Sequence, residues 1–246
     1  MKKLLLFSTA VLALTVAHSQ TAVYHPFPDT NAIWAERVYN IYNNGTAGET
    51  RYALKGDTII NAKNYKKIYS LKDSTIIDLP CCPSTYIGAI REQNKKVYAI
   101  IDTIPEQLLY DFNLSVGDTI TYYYHISPNN ITQVTFSLVT TKVDSILLLD
   151  GKYRKRWIFA TASINAYYGD TIVEGIGGIA QVGLFSPFDS HSWVIGYMGQ
   201  FTCFKQNDTV LYLHNPTCNR CFCSLTTGIL NEEKQSTVLF SPNPFS

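Results

Sequence analysis

The sequence predicts an all-β fold, an antiparallel β-sandwich or barrel-like single domain with minor short helices. Aromatic residues make up 13% of the 246 residues, with 17 Tyr and 12 Phe, and such residues favour the pleated surface of a sheet. Short runs of Tyr, Val, Ile, Thr and Phe are separated by Gly, Asp and Asn along most of the chain. Runs with a helical period are scarce, so strands dominate the prediction.

The first predicted strands lie between residues 51 and 69, where strand-forming runs are separated by polar segments. We predict strands at residues 51–54, 58–60 and 65–69, joined by turns at residues 55–57 and 61–64.

Two later segments also predict strands. Apolar and hydroxyl side chains alternate over residues 134–138, which is the period of a half-buried strand. Asp150-Gly151 separates the apolar run at residues 146–149 from residues 152–159 and predicts a hairpin. The short helices are predicted at residues 30–39 and 105–112.

The N-terminus predicts an exported protein. Lys2 and Lys3 precede an apolar run and a small-residue ending, so we expect a signal peptide over residues 1–19, cleaved before Gln20. An uncleaved anchor is the alternative. No later run reaches the roughly 18 apolar residues of a membrane helix, so we expect no transmembrane segment in the mature chain. The balance of 20 basic and 19 acidic residues argues against nucleic-acid binding.

The cysteines favour disulfides, because their even number in an exported chain suggests pairing. They are Cys81, Cys82, Cys203, Cys218, Cys221 and Cys223. We expect Cys203 to pair with one of the late cluster, which closes a short loop. Partly free thiols and a zinc site remain alternatives, although two adjacent cysteines rarely both reach one tetrahedral ion.

One tripeptide recurs: an acidic residue, then Ser or Thr, then usually an apolar residue. Its hydroxyl residues are Thr58, Ser74, Thr103, Thr119, Ser145, Thr171 and Thr209. The Asp side chain favours a local turn, after which the next strand begins.

The chain ends with Ser241-Pro242-Asn243-Pro244-Phe245-Ser246. This sequence resembles the opening of the type A C-terminal sorting domain carried by substrates of the type IX secretion system of Bacteroidota. The resemblance implies a sorting domain that begins at 241–246 and is truncated there; a natural terminus in a proline-containing tail is the alternative. We expect a mostly-β secreted domain over residues 20–225 and a linker over 226–240, because residues 226–238 are polar.

Segments of the body, including Val116-Gly117-Asp118-Thr119 and Val173-Glu174-Gly175-Ile176-Gly177, resemble uncharacterised secreted proteins with such sorting domains. The resemblance implies a secreted or outer cell-surface location and the type IX machinery as a partner, but no established activity. The recurring tripeptides likewise resemble acceptor sites of Bacteroidota O-glycosylation, at all seven hydroxyl residues named above.

Glu174 is the first candidate for chemistry, since a carboxylate among apolar residues and glycines could have a raised pKa. A glycosidase would need a second carboxylate, which Glu106 or Asp111 could supply. The structural alternative is that Glu174 binds loop amides or pairs with Arg91 or Arg156.

Aromatic residues are the other candidates, either as platforms for sugar rings or as core packing. They are Trp34, Trp157, Trp193, Tyr123 and Tyr168. No cofactor is expected, although turn Asp residues could bind calcium. The sequence therefore favours a non-enzymatic binding or adhesion module whose partners are glycans or surface proteins, with a secreted hydrolase as the alternative.

Overall fold

The computed structural model describes residues 23–40, 42, 46–71, 84–101, 105–127, 130–161, 170–180, 183–185, 197–215 and 219–221. The predicted signal peptide, linker and sorting-domain start lie outside these residues. In chain order the strands are β1 (Ala32–Asn40), β2 (Thr46–Ile60), β3 (Lys63–Leu71), β4 (Ser84–Gln93), β5 (Lys96–Ile101), β6 (Gln107–Asp111), β7 (Thr119–Ser127), β8 (Asn130–Leu147), β9 (Tyr153–Thr161), β10 (Asp170–Val173), β11 (Gly177–Gly178), β12 (Tyr197–Gln206) and β13 (Thr209–Leu213).

The strands form two antiparallel sheets, which confirms the all-β prediction. Sheet A has the order β13-β12-β1-β2-β3-β4-β5-β6, and sheet B has the order β11-β10-β9-β8-β7. Both sheets curl, so that each forms half of a barrel. Within the described residues the helical content is one 3-10 turn, Gly183–Phe185, and no helix there has the length and hydropathy needed to cross a membrane.

Both helix predictions are wrong. The segment predicted as the first helix forms β1, which pairs with β12 on one side and β2 on the other. The second forms β6, which pairs with β5. Each segment has apolar residues that would also suit a helical turn, but sheet pairing overrides that local preference, with the distant strand β12 for β1 and with the neighbouring strand β5 for β6.

The predicted turn at residues 55–57 is also wrong, because β2 continues through it. The pairing of β2 with β3 shifts register between Leu54 and Asp57, and Gly56 adopts a φ of 73°. Residues 55 and 56 therefore form a bulge, which a glycine with positive φ allows without ending the strand. The next turn is tighter than predicted, since Asn61 and Ala62 alone join β2 to β3.

The hairpin predicted at Asp150-Gly151 is present. Leu147 lies opposite Tyr153, and the Gly151 N–H donates to the Leu148 carbonyl at 3.0 Å. The alternating segment at 134–138 lies within β8, as predicted.

The turn interpretation of the recurring tripeptide holds at some positions. Asp118 lies just before β7, and its carboxylate accepts the Ser115 N–H at 2.7 Å. Asp208 lies in the turn before β13. Asp144, however, lies inside β8, so the turn interpretation is wrong there.

The core lies between the two sheets and is rich in aromatic residues. Trp34 and Tyr110 are fully buried, and Trp157 is 1% exposed. The indole N–H of Trp34 donates to the Ile176 carbonyl at 2.8 Å, and that of Trp157 donates to the Leu114 carbonyl at 2.8 Å. Each buried indole thus has the partner that desolvation requires.

A disulfide joins Cys203 of β12 to Cys221, with their Cα atoms 5.1 Å apart. This is the predicted pairing of Cys203 with the late cluster. The bond lies in a small separate apolar cluster with Ala35. The other cysteines, Cys81, Cys82, Cys218 and Cys223, lie outside the described residues.

Candidate functional site

The segment before β1 crosses between the two sheets, and we call residues 24–29 the strap. It has no regular secondary structure, and Pro26 and Pro28 lack the N–H that a sheet ladder requires. Phe27 lies between these prolines and is buried; its ring stacks on Trp34 at a centroid distance of 5.6 Å. The strap is therefore anchored in the core by one aromatic side chain.

Glu92 of β4 ties the strap to sheet A. One carboxylate oxygen accepts the Tyr24 hydroxyl, and the other accepts the Phe27 N–H at 2.6 Å. Burial raises the pKa of Tyr24, and the bond to Glu92 raises it further. Both oxygens of Glu92 are thus engaged by neutral donors of the strap.

Glu174 and Arg154 tie the strap to sheet B. The Glu174 carboxylate accepts the backbone N–H groups of His25 and Lys155; burial raises its pKa, while these bonds act in the opposite direction. The ring of His25 lies 3.1 Å from the Arg154 guanidinium, measured from Nε2 to Nη1. Burial, with Arg154 and Lys152 nearby, lowers the pKa of His25.

An open cleft of about 690 Å³ lies beside the strap, between it and the ends of the sheet A strands. The antiparallel arrangement of sheet A explains the position of the cleft. Because neighbouring strands run in opposite directions, the two-residue turns after β2, β4 and β12 lie at the same end of the sheet as the start of β1. The cleft is lined by the strap, by Asn64 to Lys66 of β3, by the end of β4 and by Gln206 of β12.

The two cations that line the cleft, Lys66 and Arg91, are paired with carboxylates. Lys66 binds Asp57 at 2.7 Å, and this bond is the main reason that the pKa of Lys66 is raised, with a smaller contribution from the charge of Asp29. Arg91 donates to Glu106, and its guanidinium carbon lies 4.3 Å from the ring centroid of Tyr98.

Glu106 is the centre of a hydrogen-bonded cluster next to the cleft. It accepts from Arg91, from the Tyr65 hydroxyl, and from Lys63 at 2.8 Å. Burial alone would raise its pKa, but these three donors outweigh burial and hold the pKa at about 2. Glu106 is therefore ionised at neutral pH and is a poor proton donor.

The three carboxylates proposed for catalysis lie in different local environments. Glu174 lies in the turn after β10 and is 5% exposed. Glu106 belongs to the cluster just described. Asp111 ends β6, where it pairs with Lys96 at 3.0 Å and accepts the Asn113 N–H. Glu174 thus binds one backbone amide of the strap and one of β9, while the structure pairs Arg91 with Glu106.

Arg156, the other arginine proposed as a partner of Glu174, is paired elsewhere. Its Nε and Nη2 atoms donate to the two oxygens of Asp144 at 2.8 and 2.7 Å. The bond from Arg156 is the main reason that the pKa of Asp144 is lowered.

The glycines around Glu174 permit close packing. A Cβ at Gly177 would lie 2.5 Å from the Tyr110 ring, and a Cβ at Gly175 would lie 3.2 Å from the His25 and Pro26 carbonyls. Both glycines have positive φ. The glycines therefore allow the strap and the ring of a core tyrosine to approach the backbone of the segment that follows β10.

Among the predicted aromatic platforms, Trp34 and Trp157 are core residues and present no surface to a ligand. Their amphipathic rings serve packing because the curled sheets enclose them. Tyr123 lies in β7, but its side chain is outside the described part of the structure. Tyr168 and Trp193 lie outside the described residues altogether. Tyr86, which the sequence did not single out, is 50% exposed and packs edge-on against Tyr69.

The predicted glycosylation sites differ in exposure. Thr119, Ser145 and Thr209 are exposed, whereas Thr58 and Thr171 are half-buried. Ser74 and Thr103 lie outside the described residues. Where side chains are described, no group of three or more His, Cys, Asp or Glu residues is arranged to hold a metal ion.

The sequence did not single out most residues of the cleft. Asn64, Gln93 and Gln206 carry no catalytic or metal-binding motif; their only signal was proximity to Asn-containing turns. A scan against protein-family models finds no match for this chain, and searches of curated proteins and of solved structures find none either.

Proposed function

We propose that this chain is a non-enzymatic binding protein of the cell exterior and that its ligand site is the cleft beside the strap. The observation that carries the proposal is an open polar concavity of about 690 Å³, a size typical of ligand sites. Its walls come from sheet strands, tight turns and a strap held at both sheets, so the site needs little ordering when a ligand enters.

The state of the carboxylates favours binding over catalysis. Glu92 is engaged by two strap donors, and Glu106 is held ionised by three donors. A glycosidase instead needs one carboxyl group that gives up a proton near neutral pH and another that faces it across the substrate. Glu174 has the raised pKa, but it is buried against backbone amides under the strap.

The hydrolase alternative has a direct test, which is turnover of a panel of glycosides by the wild type and by Glu174→Gln. We expect no turnover by either protein. Turnover that disappears in a folded Glu174→Gln variant would establish the alternative instead.

The export part of the proposal is supported by the leader-like N-terminus, the recurring tripeptides and the resemblance of the C-terminus to a sorting domain. Its test is mass spectrometry of the protein secreted by its native host. We expect a mature start at Gln20, removal of a C-terminal domain, and glycan mass on Thr58, Thr119 or Thr171. An unprocessed, unglycosylated chain retained in the cell would contradict this part.

The binding part is tested by filling the cleft. Asn64 is exposed and lines the cleft, so Asn64→Trp should abolish binding on an array of glycans and purified surface proteins. Ser145→Trp, at an exposed position of β8 in the other sheet, is the matched control and should bind as the wild type does. Equal binding by both variants would remove the cleft as the ligand site.

A further inference from the structure

We infer that the cleft takes an uncharged, hydroxyl-rich ligand, namely a neutral oligosaccharide, and that side-chain amides make the contacts. The inference rests on the proposed function, because it names the ligand class of the same site. Three properties of the lining carry it: its cations are paired with carboxylates, four of its polar side chains are amides, and its large apolar side chains are almost completely buried.

The pairing of the two lining cations disfavours an anionic ligand. The Lys66–Asp57 pair and the Arg91–Glu106 pair engage the cations that line the cleft. An anionic ligand would compete with these carboxylates for the cations, and it would also face the carboxylate of Asp29 at the rim. A cationic ligand gains little from Glu92, because both oxygens of that residue already accept strap donors. Asp57 is paired with Lys66, which leaves Asp29 at the rim as the carboxylate for such a ligand.

The uncommitted polar groups suit hydroxyls. Asn64, Gln93, Asn94 and Gln206 line the cleft, and the first three are exposed. Each side-chain amide has two donors and one acceptor, while a hydroxyl has one donor and two acceptor positions. One amide can therefore bind two neighbouring hydroxyls of a sugar. Gln93 uses its carbonyl oxygen for Arg91 at 2.7 Å, which leaves its NH₂ group for a ligand.

The apolar surface is too limited for a lipid. Phe27 and Ile90 line the cleft but are 5% and 1% exposed. Pro26 is exposed and presents a ring that can contact the C–H face of a sugar. A site for an apolar ligand would instead be lined mainly by accessible hydrophobic and aromatic side chains.

Short turns fix the backbone positions of three of the four amide residues. Asn64 follows the Asn61-Ala62 turn, Asn94 is itself in a two-residue turn, and Gln206 immediately precedes the third turn. The Asn207 N–H donates to the Asn31 carbonyl at 3.0 Å, which joins this last turn to the segment after the strap. Residues on such short hairpins keep their backbone spacing, which favours a ligand with a repeating set of hydroxyls.

The experiment is titration calorimetry with three sets of oligosaccharides of matched length. The neutral set contains gluco-, manno-, galacto- and xylo-oligosaccharides, the anionic set oligogalacturonates, and the cationic set chitosan oligomers. We expect a neutral oligosaccharide to bind most tightly. Asn64→Ala and Gln206→Ala should each weaken its binding about 3- to 10-fold, the worth of one hydrogen bond, without changing the melting temperature. Ser145→Ala should bind as the wild type does.

Three results would overturn the inference in distinguishable ways. Tighter binding of an anionic or cationic set would replace the ligand class and leave the binding function in place. Binding of a neutral oligosaccharide that neither amide variant weakens would move the site elsewhere. No binding by these sets, by the glycan array or by the purified surface proteins would remove the proposed function together with the inference.

Discussion

Glu106 shows how one side chain acquires a role that its sequence neighbours do not suggest. The residue follows Pro105 and precedes β6, yet its three donors come from β3 and β4. A carboxylate bonded to an arginine, a lysine and a tyrosine is stabilised in its charged form. Its contribution to stability must therefore depend on pH.

The sign of that dependence follows from linkage. The pKa of Glu106 is about 2 in the folded protein and about 4.3 in an unfolded chain, so its contribution is full above the unfolded value and is lost as pH falls from about 5 towards 2. We predict that Glu106→Gln lowers the free energy of unfolding at pH 7 by about 1–3 kcal/mol. We also predict a smaller loss on acidification than in the wild type, measured by urea unfolding from pH 7 to 2.

The control for this prediction is Lys142→Gln, because Lys142 is 61% exposed and its partner Asp144 keeps Arg156. It should change stability by less than about 0.5 kcal/mol. If the pH curves of Glu106→Gln and the wild type run parallel, the cluster does not stabilise the ionised form.

Gly177 is constrained both by its backbone and by its surroundings. Its φ is 95°, and an added Cβ would lie 2.5 Å from the buried Tyr110 ring. We predict that Gly177→Ala lowers the free energy of unfolding by about 3–5 kcal/mol, because strain and overlap add. Gly151→Ala is the matched control, since Gly151 has a φ of 75° with nothing near its Cβ position. It should lose only about 1–2 kcal/mol, and equal losses in thermal unfolding would argue against the overlap at Gly177.

At the scale of elements, the turns of three hairpins in sheet A have the same backbone conformation. Their turns are Asn61-Ala62, Asn94-Lys95 and Asn207-Asp208, and both residues of each turn have positive φ. Such turns match the right-handed twist of paired strands, and they favour Asn first and Gly second. None of the three has Gly at the second position, so each carries some strain.

This strain predicts a stabilising substitution. Ala62→Gly should raise the free energy of unfolding by about 0.5–1 kcal/mol, because glycine adopts the required φ without a steric penalty. The matched control is Ala160→Gly at an exposed position of β9, where we expect a loss of about 0.5–1 kcal/mol. Chemical denaturation of both variants checks the prediction. A loss at both positions would mean that the turn conformation does not limit stability.

At the scale of the whole molecule, the strap and the disulfide perform related tasks. The strap joins sheet A to sheet B through Glu92, Glu174 and Arg154. The disulfide attaches a late segment to β12, far along the chain from the strap. Both fasten irregular segments that the sheet ladders cannot hold.

The disulfide closes a loop with a sequence separation of 18 residues, so we predict that its removal costs about 3 kcal/mol. Guanidinium unfolding of the wild type with and without reductant measures the loss. The double variant Cys203→Ala, Cys221→Ala should have the stability of the reduced protein. Peptide mapping of the oxidised protein should recover the Cys203–Cys221 pair, and a freely alkylated Cys203 would contradict the assignment.

Several features of the fold were predictable because they depend on local sequence patterns. The Asp150-Gly151 hairpin and the alternation in β8 depend only on neighbours in sequence. The pairing of Cys203 with the late cluster was predictable because these cysteines are close along the chain. The all-β class was predictable from composition together with the spacing of turns.

The strand identity of β1, the burial of Trp34 and Trp157, and the cleft were decided only by the tertiary structure. Their partners are far away in sequence: β1 pairs with β12, Trp34 donates to the Ile176 carbonyl, and the strap binds Glu92 and Glu174. β6 instead pairs with its neighbour in sequence, β5. A single sequence records which residues favour strands and turns, but not which distant strands will pair. The sequence by itself therefore determined the class of fold, and long-range pairing decided where its polar groups meet.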